Sequence, residues 1–174
     1  EMFAMWAWIG AATATSYALT MPSAEAVDLA KLTAFAAIGV SCLTCVTAGY
    51  YADRWGKAEI AMIAMVISGI SAVLTGLSLG GPAWITFVLV VIWGLSVAPD
   101  SAQFSALVAD AAPPEQVGSL MTLQTALGFA LTVITVQLTP VLASAVGWSV
   151  VLAGLAIGPL LGVIAMQRLR EMHG

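Results

Sequence analysis

Residues 60–99 read IAMIAMVISGISAVLTGLSLGGPAWITFVLVVIWGLSVAP and carry no charged side chain. A helix that crosses a bilayer uses about 20 mostly apolar residues, so this run is too long for one crossing. It divides at Ser78-Leu79-Gly80-Gly81-Pro82, where the glycines supply a turn and the proline is placed to open the next helix. Two spans follow, at 60–77 and 83–108. The run is continuous and rich in Ala, Leu, Gly and Met, without a period of two, which points to helices rather than barrel strands.

The same reading works outward along the chain. Residues 2–24, 32–52 and 116–167 are also free of charge. The first run gives a span at 2–20 and the second one at 29–51. The third divides between Pro140 and Gly147 into spans at 117–139 and 148–169. The expected fold is an all-α membrane bundle of six transmembrane helices in a single domain covering 1–174. The connection Ala109-Asp110-Ala111-Ala112-Pro113-Pro114-Glu115 splits it three plus three, the pattern of transporters built from inverted triplets.

Composition supports this and removes other classes. The chain has 174 residues, of which 61% are hydrophobic and 8% charged, and its mean hydropathy is +1.02. An average soluble chain of this length would carry roughly 44 charges; this one has 5 basic and 9 acidic residues. So few polar groups cannot cover a water-soluble surface, which excludes a soluble enzyme. The apolar content excludes a disordered chain. A net charge of −4 excludes nucleic-acid binding. The chain opens at Glu1 with no initiating Met and no basic leader, so residues ahead of it are expected.

Basic residues sort to one side. Arg54 and Lys57 lie between the second and third spans, and Arg168 and Arg170 follow the sixth. Only Lys31 falls opposite. The positive-inside rule then places both ends in the cytoplasm. Trp84, Trp148 and Trp55 fall at span ends, as an interfacial belt requires.

The loop between the second and third spans reads Gly49-Tyr50-Tyr51-Ala52-Asp53-Arg54-Trp55-Gly56-Lys57. Gly49 would let a neighbouring helix approach, and Gly56 would permit a tight reversal. Asp53 could face the positive end of another helix, and Arg54 could reach a carboxylate or a helix C-terminus. The spacing resembles the loop signature of the major facilitator superfamily, G-x-x-x-D-R-x-G-R-[RK]. Gly49, Asp53, Arg54 and Gly56 are in register, and Lys57 stands for the usual Arg. The resemblance implies a cytoplasmic gating loop formed by Gly49, Asp53, Arg54, Gly56 and Lys57. Glu1-x-x-x-Met5-Trp6-Ala7-Trp8, the segment Asp100-Ser101-Ala102-Gln103-Phe104-Ser105 and the segment Leu123-Gln124-Thr125-Ala126-Leu127-Gly128-Phe129 are similar to the carboxy-terminal half of bacterial members. That implies half of a twelve-helix fold, with an amino-terminal six-helix half supplied by the same polypeptide or a partner chain.

A carboxylate inside a membrane is costly and points to function. Asp100 falls well inside the fourth span, beside Pro99, and Trp93, Ser96, Asp100 and Gln103 share one helical face. Glu1 directly precedes the first span, and the resemblance implies that this helix begins upstream and includes it. The resemblance puts both spans on the central cavity, so the expected substrate or proton path is Asp100, Glu1, Gln103, Gln124 and Trp93. Gln124 opens a polar stripe with Gly128, Thr132, Thr135 and Thr139; the stripe Ser68, Ser71, Thr75 and Ser78 is read as helix packing. The glycines at 154, 158 and 162 are read as packing within the chain. Cys42 and Cys45 lie mid-helix, where neither redox nor metal chemistry is served. No nucleotide loop, hydrolase elbow or metal signature is found, so no cofactor, no metal and no enzymatic activity are expected.

The expected function is secondary active transport of a small solute by alternating access, by symport or antiport, proton-coupled, in a bacterial cytoplasmic membrane. The expected partners are the lipid bilayer, the second half and the solute. The alternative is a structural or assembly subunit of a larger membrane complex that reuses the fold.

Overall fold

The computed structural model describes residues 1–173, with side chains described for residues 1–168. Arg170 of the expected basic tail therefore has its side chain outside the described residues. Eight helices follow one another: α1 (Met2–Tyr17), α2 (Ser23–Trp55), α3 (Lys57–Ser78), α4 (Ala83–Val97), α5 (Pro99–Ala111), α6 (Val117–Val146), α7 (Trp148–Gly154) and α8 (Ile157–His173). α4 with α5, and α7 with α8, are near-continuous rods, so the eight segments form six. Five rods are long and apolar enough to cross a bilayer: Ser23–Trp55, Lys57–Ser78, Ala83–Ala111, Val117–Val146 and Trp148–Arg168. α1, with 16 residues, is about 24 Å long at 1.5 Å per residue and falls short of that length.

Helix limits differ from those read off the charges, for identifiable reasons. α2 opens six residues earlier than expected, directly after Pro22 at φ −57°. Its 33 residues span about 50 Å, well beyond a hydrocarbon core of about 30 Å. The first turns can therefore carry Glu25, Asp28 and Lys31 in water, where Lys31 pairs with Asp28 at 2.9 Å on an exposed surface. At the other end, Gly56 adopts φ 103° and alone links α2 to α3. Gly147, at φ 87°, alone links α6 to α7. Both are left-handed conformations that favour glycine.

Three internal prolines shape the remaining rods. A proline lacks the N–H that the carbonyl four residues earlier would accept. Pro99 deprives Leu95, and the rod breaks at Ala98 between α4 and α5. The neighbouring Gly94 carbonyl accepts a 2.6 Å bond from Ser41 Oγ on α2. Pro159 deprives Leu155, and the chain there tightens into three-residue turns, with Ala156 N bonded to Ala153 O and Gly158 N to Leu155 O. Pro140 deprives Val136, yet α6 runs on to Val146 instead of ending near residue 139. The Trp8 indole N–H donates to that Val136 carbonyl at 2.9 Å and joins α1 to α6. Trp8→Phe keeps the ring bulk and removes the donor. It should cost about 1–3 kcal/mol for an unsatisfied partly buried carbonyl, read as a lowered unfolding temperature in detergent.

The core is shared by four rods and part of a fifth. Met5, Ile9 and Ala12 of α1, Ala37 of α2, Ala72 of α3, Val90, Trp93 and Val97 of α4, and Leu152 of α7 form one buried cluster. Small residues let the backbones meet. A Cβ on Gly94 would stand 2.7 Å from the Cα of Ala37, and one on Gly76 would stand 3.0 Å from the Ala153 nitrogen. Such close approach is how membrane helices gain packing energy without a hydrophobic driving force between them. α6 is different: Thr139 is its one buried residue.

Candidate functional site

Glu1 directly precedes α1, and its carboxylate turns into the bundle. Its Oε1 accepts a 2.7 Å bond from Ser68 Oγ on α3 and a 2.7 Å bond from the Trp93 indole on α4. One oxygen thus ties three helices, and Trp93 is fully buried beneath it. Oε2 takes no hydrogen bond among the described residues. Burial of Glu1 is tolerable because one oxygen is doubly hydrogen-bonded.

Asp100 follows Pro99 in the first turn of α5. A carboxylate there meets the positive end of the helix, which favours its charge. Its one side-chain bond is a long one, with Ser101 Oγ donating to Oδ1 at 3.3 Å. The break at Ala98 is what presents a helix N-terminus at this depth. Glu1 and Asp100 lie within Coulomb range of each other. Neither carboxylate forms an ion pair among the described residues.

Both acids line one open-sided cavity of about 380 Å³, bordered by α1, α3, α4, α5, α6 and α8. Gln124 of α6 stands in its wall, and its carbonyl oxygen is buried with no hydrogen-bond partner among the described residues. Phe3, Phe104 and Phe129 supply aromatic surface, and Phe3 packs on Phe129 at 5.7 Å between ring centres. The hydroxyls of Ser105 and Thr132 are turned back to the carbonyls of Ser101 and Gly128 on their own helices. Among the described residues, no Lys or Arg side chain reaches this wall.

The structure thus brings Glu1, Asp100 and Gln124 together, with Trp93 behind Glu1. Gln103 is buried but does not line the cavity. The face read for Trp93, Ser96, Asp100 and Gln103 assumed one unbroken helix, and the break at Ala98 resets its phase. Ser96 turns back on the Ile92 and Trp93 carbonyls. Sequence reading missed Ser68, which it assigned to packing; the hydroxyl stripe was the available signal. It also missed the wall from α8, where a Cβ on Gly158 would stand 4.0 Å from the Cβ of Glu1.

The loop after α2 is built differently from its expected contacts. Among the described residues, nothing lies within 4 Å of a Cβ placed on Gly49, so no close helix contact is made there. Asp53 is exposed. The Arg54 guanidinium lies over the Tyr50 ring, 4.3 Å from its centre, rather than on a carboxylate. Lys57 pairs with Asp110 of α5, which links the loop to the rod that carries Asp100.

Comparison with known families decides the identity. The chain matches the Major Facilitator Superfamily over residues 2–172. It belongs to that superfamily. Membership implies a membrane transporter of a solute rather than an enzyme, embedded in a lipid bilayer by multiple helices. No significant match is found among curated proteins or among solved structures. In this superfamily member, Glu1, Asp100 and Gln124 share the wall of one cavity.

Proposed function

We propose that this chain is the carboxy-terminal six-helix half of a twelve-helix secondary transporter. It moves a small solute across a bacterial cytoplasmic membrane by alternating access, coupled to protons, with both ends in the cytoplasm. The observation that carries this reading is the meeting of two intramembrane carboxylates, Glu1 and Asp100, with Gln124 in a single cavity. Carboxylates held at that depth are expensive unless something passes by them.

Two further features support it. α6 exposes large apolar side chains along its length, Leu123, Leu127, Leu131, Ile134 and Leu138 among them. A second six-helix bundle would cover part of that surface. The single-glycine links at Gly56 and Gly147 also join the second and third rods of each triplet, as inverted repeats would place them. The Lys57–Asp110 pair would then act on the cytoplasmic side as part of the gating loop with Gly49, Asp53, Arg54 and Gly56.

Site-directed thiol labelling tests alternating access without knowledge of the solute. Cys42 and Cys45 are replaced by serine in the full-length polypeptide, and Thr125, in the cavity wall, by cysteine. A membrane-impermeant thiol reagent should label Thr125→Cys from each side of a sealed vesicle. Labelling from one side alone under all conditions would reject the mechanism.

A further inference from the structure

This inference rests on the transport reading of the Glu1–Asp100 cavity and concerns what the cavity takes. Its polar groups are unbalanced. Glu1 Oε2 and the Gln124 carbonyl oxygen have no donor among the described residues, and Asp100 has a single side-chain donor, Ser101 Oγ at 3.3 Å, besides the main-chain N–H groups of its own turn. Among the described residues, the wall holds two carboxylates and no basic side chain. In the longer polypeptide proposed above, the nitrogen of Glu1 is a peptide amide and carries no charge. A ligand that completes this site must bring positive charge and several hydrogen-bond donors.

The rest of the wall constrains the ligand's body. Phe3, Phe104 and Phe129 offer ring faces and edges, which accept an apolar group and attract a cation. An anion would meet two like charges in a low-dielectric setting, where repulsion is strong. A bare divalent ion wants six or more oxygen ligands, and no group of three metal-binding side chains occurs among the described residues. A neutral polyol would supply donors but leave both carboxylates uncompensated.

We infer that the cavity binds a protonated amine with an aromatic-sized apolar body. The ammonium donates to Asp100, Glu1 and the Gln124 carbonyl, and the body lies against the phenylalanines. The volume of about 380 Å³ admits one such molecule.

Three probes with one body and different head groups test the assignment: 2-phenylethylammonium, neutral 2-phenylethanol and anionic 3-phenylpropanoate. Binding to the purified full-length polypeptide is measured by calorimetry. The ammonium should bind saturably and at least tenfold more tightly than the alcohol, with no saturable binding of the carboxylate. Asp100→Asn should weaken the ammonium at least tenfold and the alcohol by less, so that the preference for the ammonium falls. Phe104→Ala should weaken both. Equal affinity for all heads, preference for the carboxylate, no saturable ammonium binding, or indifference of the ammonium to Asp100→Asn would each overturn the inference. The labelling result separates it from its premise. Ammonium binding with one-sided labelling of Thr125→Cys keeps the ligand class and rejects transport. Two-sided labelling with a preference for the carboxylate keeps transport and rejects the class.

Discussion

Gly94→Val should keep α4 from docking on α2. A Cβ at this position would stand 2.7 Å from the Ala37 Cα and 2.8 Å from its carbonyl carbon. These are backbone atoms of a helix, so neither can turn aside as a side chain would. The helices would have to separate, and the 2.6 Å bond from Ser41 to the Gly94 carbonyl would be lost with the contact. Overpacking of a close-fitted core costs about 1–3 kcal/mol where side chains can adjust, and here the obstacle is main chain. The expected cost is therefore about 3 kcal/mol or more, enough to remove most of the folded protein at marginal stability. Thermal unfolding in detergent checks this. Ser41→Ala, which breaks the bond and keeps the approach, should lose only about 1 kcal/mol.

Trp93→Ala carries the second large effect, because one side chain serves both core and site. Trp93 has no exposed surface and packs within the cluster of Met5, Ile9, Ala37 and Val97. Removing a buried tryptophan costs about 3–5 kcal/mol through lost packing and the cavity left behind. Its indole also donates to Glu1 Oε1, so the variant leaves that buried carboxylate with Ser68 alone. Trp93→Phe separates the two contributions. It keeps most of the packing and removes the donor, with an expected loss of about 1–3 kcal/mol. If Trp93→Phe and Trp93→Ala were equally destabilised, the packing share of this account would be wrong.

The broad architecture was legible because charge is so scarce. Each charge-free run in a chain with 14 charged residues marks apolar surroundings, and Ser78 to Pro82 marks where a long run must turn. Helix limits were less legible. Pro140 looks like a terminus, yet α6 passes through it; the indole that satisfies Val136 comes from Trp8, 128 residues away. A partner at that separation leaves no local trace. Pro99 was legible as a kink, but not as a break that takes Gln103 away from the face of Trp93. For the site, the type of residue was readable and the partner was not. A carboxylate in an apolar chain announces itself, which is how Glu1 and Asp100 were found. Ser68 is one hydroxyl in a stripe, and only tertiary packing distinguishes it from Ser71. The loop after α2 shows the same division: the conformation of Gly56 followed from its residue type, while the contacts of Arg54 and Lys57 depended on which helix lay nearby.

A cryo-electron microscopy structure of the full-length polypeptide in a lipid nanodisc should show a second six-helix bundle facing this one, with Glu1, Asp100 and Gln124 on the wall of the space between them and α6 partly covered by that bundle. The transport reading would be contradicted by a structure in which both carboxylates point to lipid, or in which this half stands alone with the cavity closed off from either side of the membrane.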